Sequence, residues 1–278
     1  MKIEIDKNVV KQDSIIISFD IDDHYIYTGT LDSIVHIWDR ETGEHVHKID
    51  AHFGPVTVIH ENNDFLFIGY KDLAINVHRK GAWKIHRNFF LHTKGISAIG
   101  TDGGHLYSAA QDGTMAKTDY ETMKYKVFKS SIYWETSIAF DEKHFYTGSF
   151  DKVVRVWDKD SLKEKKTLVA HTKAISAVLV DDKYIYSGAR DNKIVVWDKN
   201  TYEQVAQIDK HSHWVNTLAL YENKLISGSW DNTLRVWEID SWNQVLKLEF
   251  PESVNHIKII GNEIYATVYN VVIKLNIK

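Results

Sequence analysis

Residues 147–158 read TGSFDKVVRVWD, residues 187–198 read SGARDNKIVVWD and residues 227–238 read SGSWDNTLRVWE. Working backwards, residues 28–39 give TGTLDSIVHIWD, and two weaker copies lie between, IGYKDLAINVHR at 68–79 and SAAQDGTMAKTD at 108–119. A worn seventh copy, ATVYNVVIKLNI, occupies 266–277. The copies start at 28, 68, 108, 147, 187, 227 and 266, so the spacing is 39 or 40 residues throughout. The fifth place holds Asp32, Asp72, Asp112, Asp151, Asp191, Asp231 and Asn270. A fixed period of this length is the mark of a repeat architecture.

Each unit reads as four short strands. In the unit containing Trp214, Val215, Leu218 and Leu220 mark strand a. Lys224 to Ser227 form strand b, which Gly228 ends. Leu234, Val236 and Trp237 alternate along strand c, and Val245, Leu246 and Leu248 mark strand d. Asn, Asp and Gly punctuate the turns between β-branched and aromatic runs. No segment keeps a helical period. A four-stranded sheet of this size cannot bury both faces alone, so the units are expected to stack. Pro occurs only at Pro55 and Pro251, and nothing reads as a linker, so 1–278 is expected to be one domain.

The period, the Gly-x-x-Asp turn and the Trp-Asp ending resemble WD40 repeats along the whole chain. The resemblance implies an all-β, seven-bladed β-propeller of four-stranded antiparallel blades. It also implies how the seventh blade is completed. That unit stops at strand c near Lys278, while Lys2 to Ile5 form a spare strand ahead of strand a at Ile16. In this family the N-terminal strand commonly supplies the missing outer strand, which removes an open edge. Residues 2–6 are therefore expected to close the last blade.

Composition narrows the function. Of 278 residues, 44% are hydrophobic and 26% charged, within the range of soluble globular proteins. The net charge of −4 gives no clustered basic excess of the kind nucleic-acid binding needs. With no cysteine, disulfides, thiolate metal sites and cysteine nucleophiles are excluded. No apolar run reaches signal-peptide or membrane-helix length. The expectation is a cytoplasmic, monomeric protein with no nucleic-acid or membrane partner and no cofactor.

His171, Ser187, Asp191 and Trp197 recur at the same offsets as His211, Ser227, Asp231 and Trp237. The combination suggests a Ser-His-Asp triad. The resemblance implies something else: a buried hydrogen-bonded set that ties strands b and c to the preceding loop. Other copies are incomplete. His92, Ser108 and Asp112 have Thr118 in place of the Trp; His52 and Asp72 have Ile68 in place of the hydroxyl. Gln12 and Ser131 stand where repeats one and four would carry the His. Fifteen His also raise the question of metal. His45 and His47 alternate on a strand and are expected to share one face; His211 and His213 are a second pair. Neither gains a third and fourth ligand from the sequence. The lysines from Lys163 to Lys166 are expected to guard a strand edge rather than hold phosphate.

Propellers of this family often bind partners where the b–c turns and the starts of strand a meet. The residues before the turn Asp are Leu31, Lys71, Gln111, Phe150, Arg190, Trp230 and Tyr269. Seventeen places before the Asp lie Ile15, Pro55, Gly95, Trp134, Ala174, Trp214 and Ser253. Trp134, Phe150, Arg190, Trp214 and Trp230 concentrate in repeats four to six, and interface hot spots are enriched in Trp, Tyr and Arg. Glu135 stands where the other repeats have Val or Ile, and is expected to pair with Arg190 or with a basic group of a partner. The alternative for the Trp residues is that they pack the channel. A non-catalytic scaffold that binds a protein or peptide on the top face is the expected function. The alternative is an enzyme or small-ligand binder with its site in the channel mouth, for which one carboxylate and a few amides make a poor catalytic set.

Overall fold

The computed structural model describes residues 2–50 and 53–278. His52, expected to be the histidine of the second repeat, lies outside the described residues. The chain forms seven four-stranded sheets, with consecutive strands paired antiparallel. It divides into two compact units, Met1–Trp134 with Ile260–Lys278, and Glu135–Ile259.

In the first unit, strands a to d of repeats one, two and three form three of the sheets. The N-terminal strand, Ile3–Lys11, pairs antiparallel with Val271–Ile277, from Ile3 opposite Ile277 to Lys11 opposite Val271. It therefore takes the outer place expected of it. It is longer than residues 2–6 because two bulges, at Ile5/Lys7 and Asn8/Val10, let it follow its partner's twist. Val9 and Val10 bury against Ile16, Phe19, Ile26 and Val272. The strand is thus held by packing as well as by the ladder.

In the second unit, repeats four, five and six form three further sheets, with strands c and d paired along Val153–Asp158 and Glu164–Val169 in repeat four. Lys163 to Lys166 lie at and beside the start of that outer strand, as expected. Trp157, Trp197 and Trp237 are buried, as are the strand-b tyrosines Tyr146 and Tyr186. Each of those tyrosines donates to the carboxylate that opens its a–b turn, Tyr146 to Asp141 at 2.7 Å and Tyr186 to Asp181 at 2.6 Å.

Two local features explain the repeat signature. Gly228 does not end strand b; the strand runs Lys224–Ser229 and the glycine lies inside it. A Cβ there would sit 2.6 Å from Val254 Cγ1, and one at Gly188 would sit 2.6 Å from Val215 Cγ1. The glycine is needed because strand a of the following repeat crosses directly over it, a contact that leaves no room for a methyl group. The last carboxylate of each Trp-Asp pair has a different task. Asp198 Oδ1 accepts the N–H groups of Asn200 and Thr201, both at 2.8 Å, and so fixes the c–d turn.

Candidate functional site

The recurring His, Ser, Asp and Trp form closed hydrogen-bond sets. In repeat six, His211 Nε2 lies 2.8 Å from Ser227 Oγ and His211 Nδ1 lies 2.8 Å from Asp231 Oδ2, while the Trp237 indole donates to Ser227 Oγ at 2.9 Å. Repeat five repeats the pattern, with His171 at 2.7 Å from Ser187 and 3.0 Å from Asp191. His171, Ser187, His211 and Ser227 are all buried. A serine that accepts from an indole and sits sealed from solvent cannot attack a substrate. Burial would raise the Asp191 carboxyl, but hydrogen bonds from His171 and from the Thr172 N–H outweigh it and hold it at about 2. Asp231 is likewise held well below the ordinary carboxylate range: burial opposes, while His211 and Thr233 donate to it. Burial pushes the His211 imidazole down, so it sits neutral between its two partners.

Incomplete repeats find substitutes. In repeat one Gln12 takes the histidine's place, its Oε1 accepting from Thr28 at 2.9 Å, while Trp38 donates to Thr28 at 3.0 Å. In repeat three His92 reaches Ser108 at 2.8 Å and Thr114 at 2.7 Å. Repeat four has Ser131 where the histidine would be, and its hydroxyl donates to the Tyr133 carbonyl at 2.6 Å. Asp151 is bound instead by Arg155, a neighbour on strand c that also lies 3.6 Å from Glu135 and 3.6 Å from Glu164. This corrects the expectation for Glu135. Its side chain is fully buried, it cannot meet a partner, and its cation is Arg155 rather than Arg190.

Of the expected site residues, those of the b–c turns reach the surface. Leu31, Lys71, Phe150, Trp230 and Tyr269 are exposed and Gln111 and Arg190 half-buried, so every pre-Asp residue reaches the surface. The strand-a starts are more mixed. Trp134 is exposed and Trp214 half-buried, but Gly95 and Ala174 are buried. Within a repeat the two sets adjoin, because the pre-Asp N–H donates to the strand-a carbonyl: Trp230 to Trp214 and Arg190 to Ala174, each at 2.9 Å.

In the second unit these residues make one continuous stack. The Arg190 guanidinium lies 5.4 Å from the Phe150 ring centre and 4.7 Å from that of Trp214. Trp214 stacks on Trp230 at 4.5 Å and 26°, and His213 stacks on Trp230 at 5.6 Å and 26°. His213 Nδ1 also accepts the Trp214 N–H at 2.8 Å. Trp230 is 45% exposed and Phe150 39% exposed despite these contacts. The stack therefore orders the rings without hiding them. Trp134, 40% exposed, belongs to the first unit.

The second unit also has an open groove of about 750 Å³ at the a–b turns, lined by Phe140, Asp141, His144, Lys165, Lys199 and Tyr202 among others. Lys199 pairs there with Asp141 at 3.5 Å, and the Lys165 ammonium lies 3.0 Å from His144 Nε2. Among the described residues, no three His, Asp or Glu side chains converge on a metal position.

His45 and His47 do not share a face. Strand d has a bulge against Ile37 and Trp38, which places His45 opposite Trp38 and His47 opposite Ile37. The extra residue breaks the alternation. His45 meets His36 and Trp38, whereas His47 stacks on Trp83 at 6.3 Å. His211 is committed to its buried set and His213 to Trp230.

The geometry defines a repeat protein whose His-Ser-Asp-Trp clusters are structural and whose b–c turns in the second unit carry exposed aromatic rings. Residues 12–39, 126–158, 162–198 and 202–238 match the family described as "WD domain, G-beta repeat". The chain belongs to the WD40-repeat family, whose fold class is the β-propeller. It is 28% identical over 173 residues to nuclear distribution protein nudF of Aspergillus niger, covering 55% of this chain and 38% of that one. It is 25% identical over 190 residues to mitochondrial division protein 1 of Vanderwaltozyma polyspora, covering 54% and 27%. The chain thus spans about a third of the length of these relatives. Among solved structures, the computationally designed Ika8 protein superposes with a TM-score of 0.77 at 19% identity, over 98% of this chain and all of that one, which shows a shared fold.

Proposed function

We propose that this protein is a non-catalytic scaffold that holds a protein or peptide on the b–c turn surface of its second unit, through Phe150, Arg190, Trp214 and Trp230. WD40 proteins generally bind other proteins, and this chain's repeats leave only short turns in which to carry anything else. The observation that carries the reading is the Phe150–Arg190–Trp214–Trp230 stack, in which Phe150 and Trp230 stay exposed although each is held by a neighbour. Exposed aromatic groups of this size are normally disfavoured, and pre-ordered rings lose little side-chain freedom on binding. Catalysis is disfavoured because the two sets resembling a triad, His171–Ser187–Asp191 and His211–Ser227–Asp231, have buried histidines and serines bonded to one another.

The test is affinity capture from the native cell extract with the unaltered chain and with a Trp214→Ala/Trp230→Ala double variant, followed by direct binding of whatever is recovered. The reading requires a specific protein retained by the first and lost by the second. A partner retained equally by both would refute it.

A further inference from the structure

Repeat one carries a cluster that the scaffold reading does not use. His36 Nδ1 and His45 Nε2 face each other at 3.1 Å across strands c and d. Trp38 contacts both rings, stacking on His36 at 5.6 Å and meeting His45 edge-on at 4.7 Å. Trp38 is itself fixed by the bond from its indole to Thr28. The two imidazoles therefore stand on a framework that is already ordered. His36 is half-buried and His45 exposed, so an ion can reach them from solvent.

From this geometry we infer that His36 and His45 form a two-imidazole site for a borderline transition-metal cation, Cu²⁺ or Zn²⁺, completed by water. Two nitrogens bound to one such ion at roughly 2.0–2.1 Å lie about 2.9–3.4 Å apart, depending on the angle at the metal. The observed gap falls in that range. In the metal-free pair one facing nitrogen donates to the other. On binding, that ring carries its proton on the far nitrogen, so both facing lone pairs are free for the ion without net proton loss. The electrostatic setting is mixed but workable. Asp32 and Asp50 act favourably on a cation at His36, and Lys48, the opposing charge, is tied to Asp50 at 3.1 Å. Cu²⁺ should bind more tightly than Zn²⁺ at such a site.

The experiment is a Cu²⁺ titration of the whole chain at pH 7.5, followed by quenching of tryptophan fluorescence, because Trp38 touches both ligands. His36→Gln and His45→Gln should each weaken the tightest binding step at least fivefold, while His47→Gln, which faces Trp83, should change it by less. A loss under fivefold in either of the first two, or one of fivefold or more in His47→Gln, would overturn the site. A second reading needs no variant. Electron spin-echo modulation of one equivalent of Cu²⁺ on the unaltered protein should show two coordinated imidazoles; one or none would overturn it.

Discussion

The Arg190 guanidinium lies 4.7 Å from the centre of the Trp214 ring, and Trp214 stacks on Trp230 at 4.5 Å. Both contacts are made at a surface, where a cation–π contact contributes about 0.5–1 kcal/mol. Arg190→Ala should therefore cost the fold about 1 kcal/mol or less in urea unfolding. Trp230→Ala should behave alike. A loss above about 3 kcal/mol would make these residues core and not recognition surface.

His211, Ser227 and Asp231 make the opposite prediction. His211→Ala leaves a buried hydroxyl and carboxylate short of a partner, at a cost of about 1–3 kcal/mol. The equivalent sets of repeats three, five and six predict a pH dependence. The Asp112 and Asp191 carboxyls fall from 3.8 to about 2 in the folded chain, through hydrogen bonds that outweigh burial. Their stabilisation is complete above the unfolded value near 4 and is lost as pH falls from about 4 through about 2. The His92 and His211 imidazoles, pushed down by burial, act earlier: their contribution starts to fall as pH drops below the ordinary 6.5. Melting temperature should decline gently below pH 6.5 and steeply below pH 4. A flat profile down to pH 3 would contradict the buried sets.

Arg155 is shared by Asp151, Glu135 and Glu164. Removing the cation as Arg155→Met leaves Glu135 buried beside no guanidinium, and should cost about 3–5 kcal/mol. Adding Glu135→Val, which restores the residue type found at this place in repeats two, six and seven, should recover part of that loss. A double-mutant cycle by urea unfolding measures the coupling; strict additivity would show that the pair does not interact.

The strand Ile3–Lys11 pairs with the C-terminal strand Val271–Ile277 along its whole length. Deleting residues 2–11 exposes that partner's edge and the apolar surface that Val9 and Val10 cover. The truncated chain should melt far lower or aggregate, as seen by calorimetry with light scattering. Unchanged melting would show that the N-terminal strand is dispensable.

Much of this was legible because it depends on spacing. The repeat period located every b–c turn, and the seven places before the turn Asp proved solvent-accessible in every case. The His-Ser-Asp-Trp sets were readable for the same reason, since each partner sits at a fixed offset. Three features were not. Glu135 has the charge of a surface residue, and only the approach of Arg155 from strand c explains its burial. The bulge at Trp38 separates His45 from His47, and alternation alone cannot reveal an inserted residue. Gly228 read as a turn signal, but its reason is the crossing of Val254 from the next repeat, a contact between segments that sequence order does not display.

The central claim is that the exposed stack is the binding surface. Its most direct measurement is the affinity of a captured partner for the unaltered chain and for Trp214→Ala/Trp230→Ala, by isothermal titration. Loss of two hot-spot aromatics should weaken binding by roughly 30-fold or more, at about 2 kcal/mol or above, while melting shifts little. An affinity unchanged within twofold, in a variant that is still folded, would place the partner elsewhere.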